Sequence, residues 1–203
     1  MKSLRYTLIA DGSSDVALMP IIDWLLAQHR PDLGIVGELA RDTGKVGLAL
    51  DARVPAVLKL FPCDILFVHR DAEGDAPELR LHEISRAVDD LHKNCVPIVP
   101  LRMTEAWLFS DEVAIRSAAE NRSGKIPLNL PAKKNWEGLK DPKQLLFNKL
   151  IIASEKTGRA LSKFNPARQR MLITQRTTDF SDLRGVASFD NFEEKLIEKL
   201  KGF

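Results

Sequence analysis

Cysteine is scarce, tyrosine scarcer, and no apolar run is long. The 203 residues include two Cys and one Tyr, and no apolar segment approaches the roughly 20 residues that a membrane span needs. Cys63 and Cys95 stand inside apolar segments with no CxxC spacing, which argues against a disulfide framework or a zinc site and favours reduced core thiols. The histidines His29, His69, His82 and His92 show neither HExxH nor paired spacing, a second argument against zinc. "TGKVG" at Thr43–Gly47 has the Gly-Lys pair of a P-loop but lacks the earlier Gly and the following Ser/Thr. "HRD" at His69–Asp71 lacks the glycine loop and the Asn that would make it a kinase catalytic loop. The N-terminus lacks the length and flanks of a signal peptide, and there is no repeat or low-complexity segment. A globular, cytoplasmic protein away from the membrane is expected, and 44% hydrophobic residues suit its core.

A net charge of +2 conceals a division along the chain. Residues 1–100 hold 11 Lys/Arg against 15 Asp/Glu, whereas residues 121–176 hold 13 against 3. An acidic half followed by a basic segment suggests two tasks.

The first hundred residues alternate between strand and helix patterns. Strands are expected at Arg5–Ala10, Gly34–Leu39, Asp64–Arg70 and Cys95–Leu101. Asp64–Arg70 reads as a central parallel strand covered on both faces, while the prolines of the last imply an irregular or edge position. Helices are expected at Asp15–His29, with Pro20 kinking it or ending its first segment and Ser13 or Ser14 as cap, at Val46–Phe61, and at Pro77–Lys93. Further on, helices are expected at Glu105–Glu120, Pro142–Ser154 and Phe189–Lys201, the last opened by Asp190 or Asn191, with Asn121–Asp141 as a loop. The alternation argues for an α/β sheet with helices on both faces. In such sheets ligands bind beyond the carboxyl ends of the strands, which directs attention to Asp11–Asp15, Asp71–Asp75 and Arg102–Glu105.

Acids fill those positions. Asp71 and Glu73, two apart after a buried strand, have the spacing to reach one Mg²⁺, which takes oxygen ligands. The same acids, with Asp75, can equally cap the helix opening at Pro77. Asp15 suits a capping role, whereas Asp11, at the tip of the first strand and followed by Gly12, is the better candidate for chemistry. Glu105 can complete an acidic site for one or two metal ions, or sit in the first turn of the next helix under a Thr104 cap with Trp107 and Leu108 as core.

"LIADGSSD" followed by "LFVHRDAEGD" resembles a TOPRIM domain, the catalytic module of topoisomerases, bacterial primases and OLD-type nucleases. "HRDAEGDAPELR" and "VPLRMTEAWLF" further resemble a TOPRIM-like family of bacterial proteins suspected of a role in phage defence beside an ATPase. The resemblance covers about residues 4–110. It implies a Rossmann-like, mainly parallel TOPRIM sheet with helices on both faces and Mg²⁺ or Mn²⁺ as cofactor. It places Asp11 where the family has its general acid/base glutamate, and Asp71 and Glu73 where it has a metal-binding Asp-x-Asp pair. Asp11 is one methylene shorter than the family's residue and Glu73 one longer.

The basic segment supplies what a carboxylate site lacks for a polyanion. Lys133, Lys134, Arg159, Lys163, Arg168 and Arg170 can neutralise phosphates, and Trp136 can stack on a base; a solvated face with Trp136 half-buried is the plainer alternative. The combined expectation is a TOPRIM-like α/β domain over residues 1–118 and a basic, mostly helical extension over 119–203. Its expected activity is that of a Mg²⁺-dependent nuclease on DNA or RNA, in which Asp11 and Glu105 are catalytic, Asp71, Glu73 and Asp11 bind metal, and an ATPase is a partner. The alternative is a catalytically degenerate nucleic-acid-binding or regulatory subunit.

Overall fold

The computed structural model describes residues 2–41, 46–47, 49–91 and 94–203, apart from the side chains of Ser13 and Asp90. His92 and most of "TGKVG" lie outside the described residues, as does a capping role for the Ser13 side chain.

Strands β1 (Ser3–Ile9), β2 (Gly34–Leu39), β3 (Ile65–His69) and β4 (Cys95–Ile98) form one all-parallel sheet in the order β2-β1-β3-β4. The register is set by pairs such as Tyr6 with Gly37, Ile9 with Val68 and His69 with Ile98. Every residue of β3 is buried, the condition of a central parallel strand covered on both faces.

Alternation along the strands sorts their side chains between two cores. Ile9, Leu66 and Val68 join Val54 and Val57 of α2 (Leu50–Leu60) with Ile84 of α3 (Pro77–Val88). Tyr6 and Phe67 face the other way and meet edge-on at 5.3 Å, and Phe67 meets Phe192 of the last helix, α8 (Ala187–Leu200), at 6.0 Å. On that face the Tyr6 hydroxyl donates to Asp23 of α1 (Met19–His29) at 2.7 Å. Helices therefore cover both sides, the α/β architecture expected. The ring of Tyr6 lies over Gly37, where an added Cβ would fall 2.2 Å from Tyr6 Cζ; a glycine there permits the close approach.

Local chemistry explains where the elements begin. The first helical segment is a 3₁₀ turn over Ser13–Leu18, capped at Gly12. The α-helix begins at Met19 with Pro20 in its first turn, where a missing N–H costs nothing. The expected Glu105–Glu120 helix is two pieces, a 3₁₀ segment over Thr104–Ser110 and α4 (Glu112–Ala118), because Asp111 caps α4 by accepting from Ala114 N at 2.8 Å. Met103, rather than Thr104, is the cap of the first piece. Asp141 caps α5 (Pro142–Ser154) through Gln144 N. Two helices were not legible beforehand: α6 (Gly158–Ser162), and α7 (Pro166–Arg176) with Asn165 as its cap. Asp190 and Asn191 lie inside α8 rather than opening it.

The chain divides into two compact units, one reaching to Leu101 and including Ala187–Phe203, the other Arg102–Val186; the sequence suggested a boundary near residue 118. In the first unit α8 packs on the sheet through Phe192, and Glu193 Oε1 lies 2.8 Å from Nε2 of His29 on α1. In the second, α4, α5 and α7 pack on one another. Among the described residues no helix is long and apolar enough to cross a membrane.

Candidate functional site at the strand ends

Strand order locates the candidate site. The chain passes from β1 through α1 to β2 on one side and from β3 through α3 to β4 on the other, so the order reverses between β1 and β3. The carboxyl ends of those two strands flank the switch point at which open α/β sheets bind ligands. Asp11 and Asp71 follow these strand ends, as their positions in the sequence imply, and His69, Arg70, Asp15 and, from α2, Arg53 lie beside them.

His69 and Arg70 are consecutive at the end of β3 and serve different acids. His69 is fully buried, its Nε2 3.2 Å from Asp71 Oδ1 and its Nδ1 3.4 Å from Asp15 Oδ2. Burial pushes this imidazole down, but the hydrogen bonds and charges of Asp15 and Asp71 overcome it and raise the pKa to about 9. Asp15 also accepts the Gly12 N–H at 2.9 Å, so the structural role read for it holds and is joined by a second one.

Arg70 donates to Asp11, and its other terminal nitrogen lies 3.3 Å from Glu83 Oε1 on α3. Arg53, on α2 and only 8% exposed, donates from Nη2 to the Ala10 carbonyl at 2.6 Å and brings Nη1 to 3.8 Å from Asp11 Oδ1. Burial lowers the Arg53 pKa, Asp11 opposes that, and the positive charge of Arg70 adds to it. For Arg70, burial is outweighed by Asp11 and Glu83, and the pKa rises. Arg80 completes the set by donating to the Asp71 carbonyl and to Glu83. Arg53 and Arg70 are not among the residues that sequence pattern singles out. Arg70 adjoins Asp71 in the chain and was open to notice, but nothing in the sequence brings Arg53 to a strand tip 43 residues away.

A divalent ion needs carboxylate oxygens free to face it. Here Asp11 is engaged by Arg70 with Arg53 beside it, and Asp71 by His69. Glu73 is exposed on a left-handed turn, φ 55°, followed by Gly74 at φ 92°. Among the described residues no group of three or more His, Cys, Asp or Glu is placed to hold a metal. In this arrangement the donor set does not fit a metal centre.

The remaining candidates belong to the second unit. Glu105 is buried and bonded to Arg170, itself buried and 5.8 Å from the centre of the Phe147 ring. Trp136 is 5% exposed and donates its indole N–H to the Pro131 carbonyl at 2.9 Å, so its ring belongs to the core. Lys133, Lys134, Arg159, Lys163 and Arg168 are exposed, and Lys133 donates to the Arg184 carbonyl. No family model, curated protein or solved structure matches the chain.

Proposed function

We infer that this chain is a TOPRIM-like nucleic-acid-binding module whose strand-end acids are counter-ions of its own arginines and histidine, a binding or regulatory subunit without metal-dependent cleavage. The observation that carries the reading is the pairing of Asp11 with Arg70 and of Asp71 with His69. Arginine is charged at all working pH values, so a divalent ion would have to compete with a cation already fixed in place. Exposed Lys133, Lys134, Arg159, Lys163 and Arg168 supply the affinity for phosphate backbone.

A second reading, a Mg²⁺- or Mn²⁺-dependent nuclease acting on DNA or RNA beside an ATPase partner, has one observation in its favour. Asp11 and Asp71 follow the ends of neighbouring strands at the switch point, and the Asp11 side chain is 40% exposed.

Binding of single- and double-stranded DNA and RNA, followed by fluorescence anisotropy across salt concentrations, tests the first reading. We expect affinity to fall with salt, and the logarithmic slope to shrink by about one for each phosphate-contacting lysine or arginine removed. Binding that is absent, or indifferent to a Lys133→Glu/Lys134→Glu variant and to salt, overturns it. Cleavage that needs Mg²⁺ or Mn²⁺ and disappears in Asp71→Ala, with or without an ATPase present, selects the nuclease.

A further inference from the structure

Arg53 carries more than the pairing scheme uses. Its side chain is 10% exposed, and Nη1 is buried without a hydrogen bond among the described residues. Asp11 Oδ1 stands 3.8 Å from it, beyond hydrogen-bond reach. A buried guanidinium N–H left in this state is costly, and native structures satisfy such groups with a protein partner, an ordered water or a bound group. The direction is defined by the rest of the group, since Nη2 is tied to the Ala10 carbonyl at the end of β1. Arg70, the residue after β3, approaches the same Asp11 oxygen, so two guanidinia converge on one partly exposed carboxylate.

We propose that the crevice between the ends of β1 and β3 binds a phosphoryl group on Arg53 and Arg70, and that Asp11 is an internal carboxylate occupying the position until that group displaces it. The chemistry matches. One carboxylate brings a single negative charge to two guanidinia, whereas a phosphate dianion brings two charges and enough oxygens for a hydrogen bond from each arginine. Beside the crevice, Asp15 and Asp71 share the one charge of His69, and Glu83 is held by Arg80 as well as by Arg70. The switch point is also where a doubly wound sheet places its ligand. The inference goes beyond the nucleic-acid reading, which draws its affinity from the exposed lysines and arginines of the second unit.

The test is calorimetric titration of the full chain with inorganic phosphate, a nucleoside 5′-monophosphate, and oligonucleotides bearing either a 5′-phosphate or a 5′-hydroxyl. The expected result is saturable phosphate binding, tightened roughly tenfold by Asp11→Ala, which removes the competing charge, and weakened by at least as much in Arg53→Gln. Should Arg53→Gln fail to fold, Arg53→Lys keeps the charge, loses the fork, and should weaken binding. Tighter binding of the monophosphate or the 5′-phosphorylated oligonucleotide identifies a nucleotide source, and equal affinity for inorganic phosphate identifies the free ion; either supports the site. Absence of phosphate binding in both wild type and Asp11→Ala, or affinity unchanged by both Arg53 variants, overturns it. A 5′-hydroxyl oligonucleotide that binds while phosphate does not leaves the nucleic-acid reading standing and removes this one; the converse result does the opposite.

Discussion

Arg170 and Glu105 form an ion pair inside the second unit, with side chains only 10% and 9% exposed. Removing one member of such a pair leaves an uncompensated buried charge, whereas removing both can cost little. We expect Glu105→Gln to destabilise the protein by about 3–5 kcal/mol, and the Glu105→Leu/Arg170→Met double variant to recover much of that. Chemical denaturation of both variants checks the expectation. If Glu105→Gln matched wild type in stability, the pair would not contribute to the stability of this unit.

The pH dependence of stability should report on His69. Its folded pKa, about 9, lies above the ordinary 6.5. The folded chain therefore holds this proton more tightly than the unfolded chain does. That stabilisation is fully present below 6.5 and is lost as pH rises through 9. It amounts to something on the order of 3 kcal/mol. Melting temperature should accordingly fall between neutral and alkaline pH, and His69→Gln should lower the profile on the acid side of this window and flatten it across the window. A wild-type profile already flat there would contradict the imidazolium between Asp15 and Asp71.

Gly37 should tolerate no side chain. The Tyr6 ring fills the space a Cβ would take, at 2.2 Å from Cζ, and the Tyr6 hydroxyl is fixed to Asp23. Overpacking of this kind costs about 1–3 kcal/mol, so Gly37→Ala should unfold at lower denaturant concentration. Tyr6→Phe, which keeps the ring, should not rescue it, while a smaller residue at position 6 should relieve the clash.

Trp136 separates packing from recognition. With its ring buried and its N–H on Pro131, Trp136→Ala should cost about 3–5 kcal/mol of stability, as large buried aromatics do. Trp136→Phe should leave the salt slope of nucleic-acid binding where it was. A variant as stable as wild type but deficient in binding would mean that the indole stacks on bases.

The sheet was legible because its strands carry strong local signals. The continuous apolar run of Asp64–Arg70 marked the central strand, and the later prolines marked β4 as irregular or edge. The start of α1 was half-legible: Pro20 signalled a break, but a 3₁₀ turn that opens at Gly12, with the Asp15 carboxylate reaching back to the Gly12 N–H, needs the fold to declare itself. Helix α7 escaped notice because PARQRMLITQR is mostly polar, and its beginning at Asn165-Pro166 was the one available sign. At the site, the acids could be read from their positions after strands, but their partners could not. Arg53 comes from another helix, and Glu105 finds Arg170 at a separation of 65 residues. Charge composition records that such residues exist; only tertiary structure decides which are spent on one another.

Strand β4 lies at the rim of the sheet with one side turned away from β3. The N–H groups of Leu66 and Arg70 bond to the carbonyls of Asn94 and Ile98, so the alternate residue Pro97 directs its backbone outward, where it offers no N–H. An approaching strand would find a gap in the row of donors it needs to zip on. The proline that made this segment look irregular thus acts as a guard against aggregation, and Pro97→Val should show its loss as self-association at high protein concentration.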